Sequence, residues 1–549
     1  MVRTAPWLAR TTQGYAAVFR SANLRRSQVA WAGGVTAEWA FFVGVGVFAF
    51  RHQGTAGVGL VGFIRMLPAA AIAPFTAHLG DRFRAERVVL GLFLAMAAAV
   101  AVAAFVILWS PPVFLIYALA GLHAAASTLS RSAQWALMPS LSRTPDELVA
   151  ANASTLTTEN LGTLIGPAVA GVILSRTSLG ALFAACAAAY LLSSVALVRI
   201  RLEESRGRPR SDSRMLGEVL AGFPALLGDR RVRLVVLLFY GQGLVRGALN
   251  VFVVIVAFRL IGTGQSGVGF LTGILGVGGL IGAFSALALT GRRLAAPFAG
   301  GLVLWGAPLM LLAAWPTSVA AFVSLAAIGA GNSVFDIAGL TLLQRLIPDQ
   351  VLNRALGVFW GGAMATVAVG SIAVTALVDA LGIRGSLVAT GAFLPVLGVL
   401  TWRRLTAIDR STATPIERLS VLERVPMFAP LSLAAKDRLA SALAPLSVPA
   451  GTEIVREGEA GDRFYIVIEG DYDIIKQGTE VTRSPGEYFG EIALLRDIPR
   501  TATVRARSPM QLYTLDRDTF LSAVAGHGAA RAAGEAVVEK RLTAPAGSR

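Results

Sequence analysis

The sequence predicts an α-helical membrane protein with twelve transmembrane helices in two six-helix halves, followed by a small α+β barrel domain. Three observations support this fold class. Hydrophobic residues make up 55% of the 549 residues and charged residues only 15%, which excludes a purely soluble protein of this size. Within residues 29–402, apolar segments of about 20 residues recur, as expected for helices that cross a bilayer. The remaining C-terminal stretch has the composition of a soluble domain.

The apolar segments also give the predicted domain organisation. Those of the first half begin near Val29, Ala56, Val88, Val113, Leu148 and Leu179, and those of the second half begin near Val232, Gly267, Ala296, Ser318, Leu352 and Gly385. We therefore expect a cytoplasmic amphipathic N-terminus over 1–28, six-helix bundles over 29–199 and 232–404, a central loop over 200–231, a linker over 405–415 and a soluble domain over 416–549.

Arginines are concentrated in the loops on one predicted side of the membrane. Arg25 and Arg26 precede the first span, Arg403 and Arg404 follow the last, and residues 199–233 are rich in arginine. Because positive loops stay in the cytoplasm, we expect both termini there and the chain in the cell inner (plasma) membrane. These loops carry most of the formal charge of +16, so nucleic acid is not an expected partner.

Metal and disulfide chemistry is not expected. Cys186 is the only cysteine and lies in an apolar segment, so an intrachain disulfide or a cysteine-rich metal site is impossible. We expect no metal and no resident cofactor. Residues 1–26 are basic and amphipathic without a cleavable apolar segment, so they do not predict a signal peptide.

Four charged residues lie inside predicted spans: Glu38, Arg65, Glu159 and Arg246. Each costs roughly 2.5–3.5 kcal/mol at the bilayer centre, so each should face a cavity or a partner. One interpretation is a Glu38–Arg65 pair that only locks two helices together. Glu159 has no evident partner in its own half, which makes it the better candidate for a proton carrier.

Polar groups in spans four and ten extend this candidate transport site. His123 is a second candidate for the proton-coupling role, although a lone histidine among alanines more often serves packing. We expect Asn250, Asn332 and Asp336 to line the second half's side of a central cavity. Asp336 is nearer the cytoplasmic end, where it is also a candidate gate residue.

The two predicted halves repeat. Ala120-Gly121 through Pro139 resembles Ala330-Gly331 through Pro348, and two such halves joined by a long loop resemble the parallel-repeat architecture of major facilitator transporters.

The loop after span two carries a partial match to a signature of that family. Gly80, Asp81, Arg82 and Arg87 stand at signature positions, where the family uses the aspartate to cap a neighbouring helix and the basic residues to grip the facing bundle. The resemblance therefore implies a conformational gate.

Span five carries a second match. Gly166-Pro167, preceded by Gly162, resembles the glycine-proline signature of proton-coupled exporters, where small residues allow close helix packing. The stretch after Pro139 is similar to the siderophore- and drug-exporter branch. Arg131 and Gln134 resemble a third signature, but we place them too close to the cytoplasmic end of span four to carry that role over.

Residues 489–504 predict an anion site that also recognises hydroxyl groups. Gly490 opens a short helical turn whose free amides attract an anion, and Arg500 supplies a guanidinium for a phosphate. Glu491 beside an anion makes sense if it accepts hydrogen bonds from ribose hydroxyls. Together these groups predict a cyclic nucleotide as the ligand.

The same stretch resembles the phosphate-binding cassette of the cyclic nucleotide-binding domain family. The resemblance implies that Glu491 meets the ribose 2′-hydroxyl and Arg500 the cyclic phosphate. It also implies that the amides of Ile492 and Ala493 adjoin the phosphate, with Thr501 and Ala502 near phosphate and base. In this family the last helix covers the base, so Val537, Val538 and Arg541 are candidate lid residues. We favour cAMP over cGMP.

Together these features predict a secondary active transporter, a proton-coupled exporter of a small amphipathic compound, regulated allosterically by a cyclic nucleotide. The expected partners are the lipid bilayer, protons, the nucleotide and the transported molecule. Alternatives are a lipid or lysolipid transporter with the same regulation, or a non-transporting receptor. An ion channel is not expected, because no span has the regularly spaced arginines of a voltage sensor and no segment resembles a selectivity filter. An enzyme is not expected either, because the sequence contains no recognised catalytic motif.

Overall fold

The computed structural model describes residues 20–73, 85–109, 112–142, 145–200, 222–286, 294–347, 349–412, 416–431, 433–476, 479–483, 487–525 and 528–543. The chain divides into two compact units: a helical unit that contains the described residues up to 286 and Ala295–Thr406, and a second unit that contains Leu294 and the residues from Ala407 onward.

Long helices account for nearly all of the described helical unit. In the first half they are α1 (Ala22–Ile72), α2 (Ala85–Val106), α3 (Val113–Leu141), α4 (Pro145–Arg176) and α5 (Leu179–Val198). The short helix α6 (Gly222–Leu227) precedes the second half, which contains α7 (Arg230–Ile255), α8 (Gly264–Ala286), α9 (Ala295–Ala314), α10 (Ser318–Leu346) and α11 (Asp349–Thr412). A π-helical turn, Val256–Leu260, extends α7.

Two of these elements each contain two helical arms. Gly54 (φ 62°) breaks α1 and Gly382 (φ 69°) breaks α11, because a positive φ departs from helical geometry and is a conformation that glycine adopts readily. Among the described residues, nine helices are long and apolar enough to cross a membrane, α1 and α11 among them. Counting both arms of α1 and α11 and adding the more polar α4 gives twelve, six in each half. The predicted fold class is confirmed.

The helix boundaries differ from the predicted segments at three places. α1 begins at Ala22, inside the predicted N-terminal segment. α11 continues to Thr412, so most of the predicted linker is helical. Residues 201–221 of the predicted central loop lie outside the described residues, and α6 and α7 occupy its last part.

Glycines set the closest helix contacts. A Cβ on Gly162 would come within 2.4 Å of Val35, and one on Gly166 within 2.6 Å of the Thr36 carbonyl oxygen, so α4 packs directly on the α1 backbone. Between the halves, a Cβ on Gly269 of α8 would lie 2.5 Å from the Pro167 carbonyl oxygen of α4. The glycine-proline segment of α4 therefore contacts both halves.

The second unit contains two four-stranded antiparallel sheets. Its strands are β1 (Ala444–Val448), β2 (Glu453–Val455), β3 (Arg463–Glu469), β4 (Tyr472–Lys476), β5 (Thr479–Arg483), β6 (Tyr488–Phe489), β7 (Thr503–Ala506) and β8 (Met510–Asp516). The strand orders are β1-β8-β3-β6 and β2-β7-β4-β5. Helices α12 (Ile416–Glu423) and α13 (Leu433–Ala442) precede them, α14 (Glu491–Arg496) lies between β6 and β7, and α15 (Arg517–Ala525) and α16 (Gly528–Thr543) follow.

Two hydrophobic clusters hold this unit together, one on each side of β3. Phe464 and Ile466 pack with the helices, whereas Tyr465 and Val467 pack in the cluster between the sheets. Both faces of β3 are therefore buried. The removal of this apolar surface from water is the main stabilising term for the sheets.

Candidate functional site

The candidate ligand site of the second unit is built on the turn between β6 and α14. Gly490 precedes α14 with φ 97°, a conformation that favours glycine. A Cβ at this position would lie 2.6 Å from Arg500 Nη1 and 2.9 Å from the Arg463 carbonyl oxygen. Glycine is thus required here both by the backbone conformation and by the arginine that packs against it.

Three acceptors fix the guanidinium of Arg500 beside this turn. It donates to the carbonyl oxygens of Arg463 (2.8 Å) and Gly490 (3.2 Å) and to Asp462 Oδ1 (3.3 Å), and it is 5% exposed. Its charge is therefore positioned next to α14 before any anion arrives. The predicted neighbours Ile492, Thr501 and Ala502 are half-buried, and Ala493 is buried.

Glu491 is the buried acid of the site. Its side chain is 1% exposed, Oε1 accepts a 2.8 Å hydrogen bond from Arg541 Nη1, and Oε2 is buried without a partner among the described residues. Burial raises the pKa of Glu491, against the opposing attraction of Arg541 and Arg500. A buried acceptor without a donor costs free energy, so this oxygen fits a ligand hydroxyl.

The last helix contributes Arg541 to this site. Arg541 Nη1 also donates to the Tyr488 carbonyl oxygen at 2.8 Å, and its guanidinium lies 4.5 Å from the centre of the Tyr488 ring. Of the three candidate lid residues, Val538 is fully buried, and Val537 is partly buried against the hydrophobic cluster that contains Phe464. Arg541 is the one that contacts Glu491.

A cavity of about 340 Å³ lies between the two halves of the helical unit. Arg65, Arg246, Asn332 and Asp336 of the predicted transport residues line it, together with Asn250. Asn332 Nδ2 donates to Asp336 Oδ2 at 3.0 Å. The cavity also has aromatic walls, from Trp39, Phe42 and Trp305.

The two buried glutamates of the first half share one arginine. Arg131 Nη2 lies 3.2 Å from Glu38 Oε2, and Arg131 Nη1 lies 3.2 Å from Glu159 Oε2. The Glu38–Arg65 pair considered from the sequence is not formed, and the expectation that Glu159 lacks a partner in its own half is wrong. The reason is Arg131. Because it was predicted to lie near the cytoplasmic end of span four, it was not considered as a partner for a glutamate inside the membrane.

His123 occupies a packed position away from the cavity wall. It is fully buried, its Nε2 is 2.8 Å from Tyr190 Oη, and its ring lies 4.8 Å from that of Phe41. These contacts favour the packing interpretation of this histidine.

The predicted gate motif is only partly described. Gly80, Asp81 and Arg82 lie outside the described residues, and Arg87 is exposed near the start of α2. Gly166 and Pro167 lie in α4 at its contacts with α1 and α8. Among the described residues there is no cluster of His, Cys, Asp and Glu that would hold a metal ion.

Comparison with known families agrees with both units. The profile of the Major Facilitator Superfamily matches residues 34–298, and that of the Cyclic nucleotide-binding domain matches residues 445–527. The chain joins a major facilitator domain to a cyclic nucleotide-binding domain. Its helical part is thus that of a multi-pass membrane protein, and the ligand class of its C-terminal domain is a cyclic nucleotide.

Relatives of the nucleotide-binding domain include regulatory subunits of cAMP-dependent protein kinase. That of Yarrowia lipolytica is 42% identical over 102 residues, 18% of this chain and 27% of the relative. That of Schizosaccharomyces pombe is 37% identical over 103 residues, 18% of this chain and 25% of the relative. The chain therefore spans about a quarter of the length of these curated relatives.

A solved structure shares the fold of the helical unit. The crystal structure of the nucleoside transporter NupG aligns with a TM-score of 0.58 at 14% identity, over 70% of this chain and 99% of that chain. This likeness shows the major facilitator fold.

Proposed function

We propose that the chain is a secondary active transporter whose flux is controlled by a cyclic nucleotide bound to the C-terminal domain. The observation that carries the proposal is the joint presence of a nucleotide site and a central cavity in one chain. The nucleotide site has a held guanidinium at Arg500 and an unpartnered acid oxygen at Glu491. The cavity lies between two six-helix halves, where transporters of this fold bind substrate.

In the proposed nucleotide complex, Arg500 binds the cyclic phosphate together with the backbone amides of Ile492 and Ala493. Glu491 accepts a hydrogen bond from the ribose hydroxyl, and Gly490 leaves room for both groups. Thr501 and Ala502 adjoin the phosphate and base. cAMP is favoured over cGMP because the similar kinase subunits are named as cAMP-dependent.

The proposed transport reaction is proton-coupled export of a small amphipathic compound, without chemical conversion. Glu159 is the proposed proton carrier, and its shared arginine makes Glu38, Arg131 and Glu159 a single coupling cluster. The segment with Gly80, Asp81, Arg82 and Arg87 is the proposed gate. The arginine-rich loops support an orientation in the plasma membrane with both termini cytoplasmic.

Nucleotide-dependent flux tests the regulatory half of the proposal. The full chain is reconstituted in proteoliposomes with a pH gradient, and efflux of amphipathic acids, bases and neutral compounds is measured with and without cAMP. Arg500→Ala removes charge-assisted hydrogen bonds worth about 1.5–3 kcal/mol each, so nucleotide affinity should fall at least roughly tenfold. The variant's flux should then no longer respond to cAMP.

Arg505→Ala is the matched control. Arg505 is an exposed arginine on β7 whose partner is Glu453, so its loss should change neither nucleotide affinity nor the response. A variant at position 500 that loses binding but keeps the flux response would place the effector elsewhere. If the flux of the wild-type protein changes with neither cAMP nor cGMP, the regulatory role is refuted.

A further inference from the structure

We propose that the substrate of the central cavity is an amphipathic anion, a small molecule with an apolar body and one carboxylate or phosphate group that binds at Arg65. This inference rests on the proposed transport function and names its substrate class. It is carried by three features of the cavity wall: an arginine and a tryptophan whose N–H groups lack acceptors among the described residues, and the balance of charges.

Arg65 is a buried cation without an acceptor among the described residues. It lies on the second arm of α1, is 6% exposed and lines the cavity. Its guanidinium is 4.5 Å from the centre of the Phe42 ring, and its Nε is buried without a partner among the described residues. An aromatic face attracts a cation but does not satisfy its N–H groups. A buried guanidinium in this state is stabilised by an anionic ligand.

The nearby acids of the first half do not meet this need. Glu38 and Glu159 both pair with Arg131; Glu38 also attracts Arg65 electrostatically but makes no direct contact with its guanidinium. No hydrogen bond or ion pair from Arg65 to a described residue is formed within the usual distance limits. The side chain is therefore available to a molecule in the cavity.

Trp305 supplies a second unsatisfied donor from the opposite half. It lies on α9, is 2% exposed and lines the same cavity, and its Nε1 is buried without an acceptor among the described residues. The indole and guanidinium N–H groups can only donate. Acceptor atoms on a ligand match both kinds of donor, whereas a purely cationic ligand matches neither.

The charges of the wall favour the same class. Among the described lining residues, Arg65 and Arg246 are cationic and Asp336 is anionic, and Asp336 already accepts a hydrogen bond from Asn332. The lining residues themselves carry an excess of one positive charge, which the net charge of −1 on the nearby cluster of Glu38, Arg131 and Glu159 opposes when both glutamates are ionised. Arg65 nevertheless has no direct ion pair among the described residues. Trp39 and Phe42 provide apolar surface for the rest of the molecule.

Equilibrium binding to the full chain in lipid nanodiscs tests the inference. The probes are 1-naphthylacetate, its neutral amide and the corresponding amine, which share one apolar body and differ in the head group. Calorimetry should show the acid binding at least about tenfold more tightly than the other two. Arg65→Gln should remove that advantage and leave the affinity for the amide within about threefold.

Two further variants sharpen the result. Arg176→Gln removes an exposed arginine at the end of α4, outside the cavity, and should change no probe's affinity. Asp336→Asn removes the negative charge of the wall, so acid binding should tighten by about three- to tenfold. This second variant also carries the test if Arg65→Gln is not recovered as a monodisperse protein, since unchanged or weaker acid binding would then overturn the inference.

Two phosphate-containing probes distinguish between two sources of the anion. 1-Naphthyl phosphate represents a free organic phosphate, and lauroyl lysophosphatidate represents a lipid head group; tight, Arg65-dependent binding of either supports the inference and identifies the source. The inference is overturned if the amine or amide binds as tightly as the acids, if acid binding is insensitive to Arg65, or if no acid binds at millimolar concentration. Because binding is measured without a gradient, these outcomes are separate from any failure of proton-coupled or nucleotide-controlled flux.

Discussion

The ion pair between Arg541 and Glu491 makes a quantitative prediction about the nucleotide-binding domain. Replacing Arg541 by alanine leaves Glu491 at 1% exposure with neither of its carboxylate oxygens paired to a side chain, because Oε2 already lacks a partner. The variant should therefore be destabilised, and the size of the effect should depend on whether Glu491 is ionised.

The magnitude follows from the burial of the two groups. Exposed ion pairs contribute about 0–1 kcal/mol, whereas breaking a fully buried pair costs about 3–5 kcal/mol. Arg541 is 32% exposed and Glu491 is almost fully buried, so the pair lies between these cases. We expect Arg541→Ala to lower the free energy of unfolding by about 1–3 kcal/mol at pH 8.

The pH dependence has a definite sign. Burial already raises the pKa of Glu491, and the loss of Arg541 removes the nearest opposing charge, so the pKa rises further. The folded variant then retains a proton that the unfolded chain releases above the ordinary glutamate pKa of about 4.3. Stability therefore falls as pH rises through this window, and the cost of the substitution should be smaller at pH 5.5 than at pH 8.

Urea unfolding of the unit from Ala407 onward, at both pH values, measures the effect. Arg531→Ala is the matched control, because Arg531 lies on the same helix in an exposed pair with Glu535 and should change stability by less than about 0.5 kcal/mol. If the Arg541 variant is no less stable than this control at either pH, the pair does not hold α16 to the nucleotide site and the reasoning is refuted.

Three further substitutions test the proposed sites. Glu159→Gln cannot ionise, so flux in proteoliposomes should lose its pH dependence while substrate binding persists; unchanged pH dependence would exclude Glu159 as the carrier. Gly490→Ala should lower the free energy of unfolding by about 1–3 kcal/mol because of the positive φ at this position, and it should also weaken nucleotide binding. Gly451 is the control, since it has a positive φ but open space around the position of a Cβ. Gly451→Ala should lower stability, measured by urea unfolding, without changing nucleotide affinity, measured by calorimetry. Thr501→Ala should change the ratio of the affinities for cAMP and cGMP. An unchanged ratio would show that the Thr501 hydroxyl does not contribute to recognition of the base.

The nucleotide-binding domain was the more predictable part of the chain. Gly490, Glu491 and Arg500 lie within a dozen consecutive residues. Their order therefore predicted the class of ligand without knowledge of contacts between distant parts of the chain. The contact between Glu491 and Arg541 joins residues 50 positions apart, and sequence indicated only that the last helix was a lid.

One strand shows why burial was harder to predict than secondary structure. In the sequence, Phe464, Ile466 and Ile468 alternate with Tyr465, Val467 and Glu469, a period that predicts a half-buried strand. In the structure Tyr465 and Val467, on the other face of β3, are buried as well. Both of those residues are apolar or aromatic, and this was the available signal. Whether such a face is buried depends on whether another sheet or helix packs over it. The periodicity of one strand does not predict that packing.

In the helical unit, pairing of charges depends on helix length, which composition does not fix. An apolar window of about 20 residues beginning at Val113 would end near Ala133 and would leave Arg131 at the membrane surface. The helix instead runs to Leu141, which places Arg131 ten residues, or about 15 Å, from its end. Glu159 lies 14 residues, or about 21 Å, into α4, which starts four residues after that end.

The consequence concerns the proposed coupling mechanism. With both glutamates ionised, the cluster of Glu38, Arg131 and Glu159 carries a net charge of −1, and one proton neutralises it. The guanidinium binds both carboxylates, so protonation of either glutamate weakens one contact and releases Arg131 toward the other. α1, α3 and α4 each contribute one member, and α4 also contacts the second half through Gly269. In the proposed mechanism, proton uptake at this cluster would therefore act on a helix that contacts both halves, as coupling protons to a change of conformation requires.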